Sequence, residues 1–76
     1  LERSNMKAII TSKSELTLNL TQQFIFDIVD DDQAILTSQV VEAIPSHAEA
    51  EIKNRLDAFA AEYQASQDIE IGTEIV

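Results

Sequence analysis

Cysteine is missing from this chain of 76 residues, and with it every disulfide framework, thiolate metal site and cysteine nucleophile. Glycine and proline occur once each, as Gly72 and Pro45. One glycine cannot build a phosphate-cradling loop, and Ser12, Ser14, Ser38 and Ser66 all lack a G-x-S-x-G context. Nucleotide-binding and acyl-transfer signatures are therefore absent. No apolar run approaches the roughly 20 residues needed to cross a bilayer, and no basic-then-apolar leader follows Met6. These features predict a soluble chain with no membrane partner, cytoplasmic by default, or in a virion if the source is viral.

Basic side chains are scarce too: five Lys and Arg stand against fourteen Asp and Glu, a formal charge of −9. Long-range repulsion then opposes binding to nucleic acid or an anionic leaflet, while a basic protein partner is tolerated. A chain this short has material for one core. Leu1 to Asn5 precede a methionine and show no apolar periodicity, so they read as a non-native leader. Residues 6–76 are left as a single domain.

What is present is apolar patterning. Ala8 to Ser12 is β-branched and apolar, and Leu16, Leu18 and Leu20 alternate with Thr17 and Asn19 in the period of two that marks a half-buried strand. Two N-terminal strands are expected, parted near Lys13 to Glu15. The alternation runs on through Phe24, Phe26 and Ile28, so one bent strand over 16–29 competes with a break at Gln22, which is the preferred reading. Asp30, Asp31, Asp32 and Gln33 then separate Phe24–Val29 from Ala34–Ile44. Aspartate favours turns because its carboxylate bonds nearby backbone N–H groups, so a hairpin is expected here. In the return strand the pairs Ile35/Leu36 and Val40/Val41 break alternation, which predicts either a bulge near Thr37 to Gln39 or burial on both faces.

Pro45 ends that strand for want of an N–H, and Ser46 with Glu49 matches a capping box opening a helix over about 46–65. Ala48, Ile52, Leu56, Phe59 and Tyr63 form its buried stripe, and Phe59→Ala should cost ~3–5 kcal/mol if that ring is in the core. Glu49–Lys53 and Glu51–Arg55 are spaced to pair along the exposed flank. Ala50, Ala58, Ala61 and Ala65 lie opposite the stripe, where they could admit another backbone or simply favour helix. Ile69, Ile71 and Ile75 predict a last strand interrupted by Gly72. The expected architecture is α+β, with a mainly antiparallel sheet of four to five strands, one helix on one face, and the order β-β-β-β-α-β.

Few residues suggest chemistry. Asp27, Asp30, Asp31 and Asp32 could gather on a hard cation, but neither the glycine nor the distal glutamate of an EF-hand loop is in place, and a solvated turn is the plainer reading. His47, the only histidine, has no legible nucleophile or carboxylate partner and reads as a surface residue. Asn19-Leu20-Thr21 satisfies a glycosylation sequon of the kind that arises often by chance, and is read as strand. No metal, cofactor or catalytic residue is expected.

The distribution of apolar side chains says more. Phe24, Phe26 and Ile28 face one side of their strand while Ile25 and Val29 face the other, and one helix can cover only one side. Small domains often bury such a surplus by oligomerising. The expected function is a non-enzymatic structural or interaction subunit, homo-oligomeric through the sheet face or an edge strand. The alternative is an acidic inhibitor or nucleic-acid mimic that presents Asp27, Asp30, Asp31 and Asp32 to a basic protein.

Overall fold

The computed structural model describes residues 6–76. The expectation for Leu1 to Asn5 lies outside the described residues. Three strands, β1 (Lys7–Lys13), β2 (Gln22–Val29) and β3 (Ile35–Ala43), precede one helix, α1 (Pro45–Asp68). They form an antiparallel sheet in the order β1-β2-β3, so the fold is α+β with the helix on one face. The expected four to five strands reduce to three among the described residues, and the order becomes β-β-β-α.

Both extra strands fail for want of a neighbour to pair with. The segment from Ser14 to Thr21 is the loop between β1 and β2, and Leu16, Leu18 and Leu20 are exposed on it. Thr17 organises this loop. Its hydroxyl accepts from the backbone N–H groups of Asn19 and Thr21 at 3.2 Å each and bonds the Thr21 hydroxyl at 3.0 Å. Such side-chain bonds offer the backbone an alternative to a ladder, and they hold Leu20 at a φ of 67°. The break at Gln22 is where β2 begins. At the other end, Glu70 to Thr73 close a turn through the Thr73 N–H and the Glu70 carbonyl, with Gly72 at a φ of 97° that suits glycine. Ile69, Ile71 and Ile75 are exposed there and join no sheet.

The aspartate hairpin forms where the sequence places it. Asp30 Oδ1 accepts from the N–H groups of Asp32 (2.9 Å) and Ala34 (3.0 Å), while the Asp30 carbonyl accepts from Gln33. These bonds offset the ~1–2 kcal/mol that a non-glycine residue pays in the left-handed region, where Gln33 sits at a φ of 65°. The register shift in β3 falls between Ile35 and Thr37, opposite Val29 and Ile28. Leu36 is thus the extra residue, one position before the expected bulge.

One face of the sheet and one stripe of α1 make the core: Phe24, Phe26, Ile28 and Val41 from the strands, Ala48 and Ile52 from the helix. Leu56 and Phe59 pack on its margin. Phe59 is therefore half-buried, because the second half of α1 runs past the sheet. Twenty-four helical residues span ~36 Å, while nine strand residues span ~30 Å. The radius of gyration, 15.4 Å, exceeds the about 11 Å of a compact chain of this length.

The helix begins one residue before the expected start. Pro45 occupies its first turn, Ile44 is the N-cap with extended backbone, and no side chain caps it. A proline at that position loses nothing, since its missing N–H would have no helical partner. Ser46 thus lies inside the helix and the capping box does not form. Ser46→Ala should shift stability by less than about 0.5 kcal/mol in urea denaturation; a loss above ~1 kcal/mol would restore the capping role. On the flanks Lys53 pairs with Asp57 at 2.8 Å instead of Glu49, and Arg55 turns to β3 instead of Glu51. The alanines at 50, 58, 61 and 65 are exposed.

Candidate functional site

The face of the sheet turned away from α1 carries the side chains that alternate with the core. From the register, these are Ile9 and Ser12 of β1, Gln23, Ile25, Asp27 and Val29 of β2, and Ile35, Ser38, Val40 and Glu42 of β3, of which Val29 is itself buried, 3% exposed. Ile25 on the central strand stands directly opposite Val40, and Ile9 stands opposite Asp27. Ile25 is 39% exposed, Ile9 41%, Val40 51% and Ile35 62%. Ile25 and Val40 form an exposed apolar pair with Ile9 diagonal to Ile25, while Ile35 is set apart from them by the Asp27–Ser38 pair; a chain in water tends to cover such exposed aliphatic surface. No described element crosses it.

That polar pair is hydrogen-bonded. Ser38 donates its hydroxyl to Asp27 Oδ1 at 2.6 Å, across directly paired positions of β2 and β3. The bond ties up one oxygen of a half-buried carboxylate and rigidifies the middle of the face. At the end of the sheet, Thr21 donates to Glu42 Oε2 at 3.0 Å.

The four aspartates singled out in the sequence do not make one site. Asp27 belongs to the sheet face, and Asp30 turns a carboxylate oxygen inward to hold the hairpin. Asp31 and Asp32 are exposed at the turn. Among the described residues no three carboxylates or imidazoles converge as metal ligands would. His47 is exposed, and its backbone N–H donates to the Ile44 carbonyl at 2.8 Å. Asn19 is exposed on the β1–β2 loop, where the sequence had suggested a strand.

On the helix side, a shallow groove of about 360 Å³ runs between β1 and α1, floored by Met6, Ala8, Ile10, Ile52 and Leu56. It exists because α1 lies nearer β3 than β1, which leaves Ile10 48% exposed. Lys7, Glu49 and Lys53 also line it, but Lys53 is paired with Asp57. Among the described residues no polar or charged side chain is buried.

One residue gains a role the sequence did not suggest. Arg55 reaches from α1 to β3, donating to Gln39 Oε1 at 3.3 Å and to the Val40 carbonyl at 3.4 Å. Its helical spacing from Glu51 pointed to an ordinary flank pair, and no local signal marks a contact between elements.

No protein-family model matches the chain, and no curated protein or solved structure resembles it significantly.

Proposed function

We propose that this chain is a non-enzymatic structural or protein–protein interaction subunit that associates with copies of itself through the open face of its sheet. The observation that carries this reading is the aliphatic surface that Ile9, Ile25, Val40 and Ile35 expose on three adjacent strands. The size of the core supports it. Among the described residues seven apolar side chains are buried, few for an extended chain, and covering the second face would add burial at about 25 cal/mol per Å² of apolar area. Asp27 and Glu42 are the carboxylates on this face, and each accepts a hydroxyl hydrogen bond, from Ser38 and Thr21 respectively.

Light scattering behind gel filtration, at low and high salt, tests the reading. The expected result is an oligomer that persists in high salt, because apolar association is not screened. Ile25→Glu should convert it to monomer while leaving the circular dichroism unchanged, since Ile25 is outside the core. A monomeric wild type at every concentration would end this reading. A basic partner at Asp31 and Asp32 would then be sought by salt-dependent pull-down.

A further inference from the structure

A sheet that associates through its face must also keep its edges from pairing, or closed assemblies give way to open growth. β1 and β3 are the two edges of this sheet. Which backbone groups they offer follows from the hydrogen bonds. Thr11 donates its hydroxyl to the Ile25 carbonyl, and Ser14 exchanges bonds with Gln23, so these odd positions of β2 turn their backbone groups toward β1. The pair Ile25–Val40 is then one of the non-hydrogen-bonded pairs of the β2–β3 ladder. Val40 therefore points its N–H and carbonyl off the free edge, and Ser38 and Glu42, two residues away on either side, do the same.

The two edges are protected differently. β1 carries Lys7 and Lys13 at its ends and a register shift between Ile10 and Ser12. Antiparallel pairing of two β1 strands centred on Ile10 would set Lys7 against Lys13 of the other copy, placing like charges opposite each other. β3 has no lysine and no proline, and its one charged residue is Glu42. Its edge could pair with a second β3, or with the lysine-bearing β1 of another copy, where the charges would attract. That second arrangement is head-to-tail and grows open-ended unless its rotation closes a ring.

We infer that Arg55 is the guard on this edge: its guanidinium occupies the outward carbonyl of Val40, the middle of the three outward residues, and so bars strand addition by a second copy. The geometry supports the role twice over. The same Nη1 also bonds Gln39 Oε1, which holds the guanidinium beside β3, and the cation sits where an incoming strand would need to donate a backbone N–H. Lysine or arginine at an exposed edge is a general device against edge-to-edge pairing. Here the charge is supplied by the helix instead of the strand. The inference rests on the reading that copies associate through the face, and it adds why association stops there.

Arg55→Ala should raise the light-scattering mass several-fold above wild type at equal concentration, with increased binding of a dye specific for cross-β structure. Arg55→Met, which keeps the stem's packing, should behave alike if the lost charge is the cause and not a folding defect; Arg55→Lys should return the mass to the wild-type value. Amide exchange at Ser38, Val40 and Glu42 should slow in the enlarged species. The double variant Ile25→Glu/Arg55→Ala separates this inference from the face interface, since it should still grow through the edge with the face disabled. Masses for Arg55→Ala and Arg55→Met equal to wild type, with those three amides unprotected, would overturn the guard whatever the state of the face.

Discussion

Phe26→Ala is expected to cost ~3–5 kcal/mol in urea denaturation, the largest loss of any single truncation in this chain. Phe26 is fully buried at the centre of the middle strand, with Ile10 and Gln39 as its neighbours across the sheet and the helix above. Its removal would leave a cavity bordered by Phe24 and Ile28 of the same strand, and β2 cannot collapse into it without breaking two ladders. A domain of this size has only about 4–11 kcal/mol of stability, so the variant should be substantially unfolded at mild temperature. Phe59→Ala is the control. Its ring is half-buried on the overhanging part of the helix, tilted against Tyr63 at 5.8 Å, and its loss should be clearly smaller. Equal losses at the two positions would mean that the overhang is packed more tightly than the fold described here.

Ile52→Ala should cost ~2–5 kcal/mol and do so by loosening the helix from the sheet. Of the twenty-four residues of α1, only Ala48 and Ile52 are buried, and alanine offers little area to bury. Ile52 is thus the main anchor of the element. Lys53–Asp57 is exposed, and exposed i,i+4 pairs contribute only ~0.3–0.5 kcal/mol. Most helical stability in proteins comes from tertiary packing of an apolar face, so the far-ultraviolet helical signal should fall in step with stability. An unchanged signal together with a loss under about 1 kcal/mol would show that Leu56 and Phe59 hold the helix by themselves.

The elements legible in the sequence are those whose pattern reflects a real asymmetry of environment. Phe24, Phe26 and Ile28 alternate because β2 has a covered face, and Ala48, Ile52 and Leu56 recur at helical spacing because α1 lies on that face. The aspartate turn was legible for another reason: a carboxylate two to four residues from free N–H groups closes a hairpin by local bonds alone. Leu16, Leu18 and Leu20 show where pattern misleads. They alternate as well as β2 does, yet no strand lies beside them and Thr17 holds the backbone in a loop. The tail fails likewise, since Ile69 and Ile71 follow a helix that ends beyond the sheet. The Ser46 cap failed more narrowly, because Pro45 can begin the helix itself and the start moved by one residue.

For the candidate site the division is similar. That Ile25 opposes the core side chains follows from the pleat, but Val29, on the same side, is buried at 3% exposure, so β2 offers less open apolar surface than its alternation suggests. The four aspartates, adjacent or nearly so in sequence, were separated by the fold into a face residue, a turn brace and two exposed carboxylates. Arg55 lies sixteen positions from Gln39, and only the packing of α1 across β3 brings them together.

By itself, then, the sequence determined the α+β class, the hairpin at Asp30, the core stripe and the two-sidedness of β2, because each rests on periodicity or on bonds between near neighbours. The tertiary structure alone decided how many strands pair, where the helix sits along the sheet, which face stays open and which residues of α1 reach β3. Those outcomes depend on contacts between residues far apart in the chain, and a strand or a salt bridge exists only if a partner arrives at the right distance.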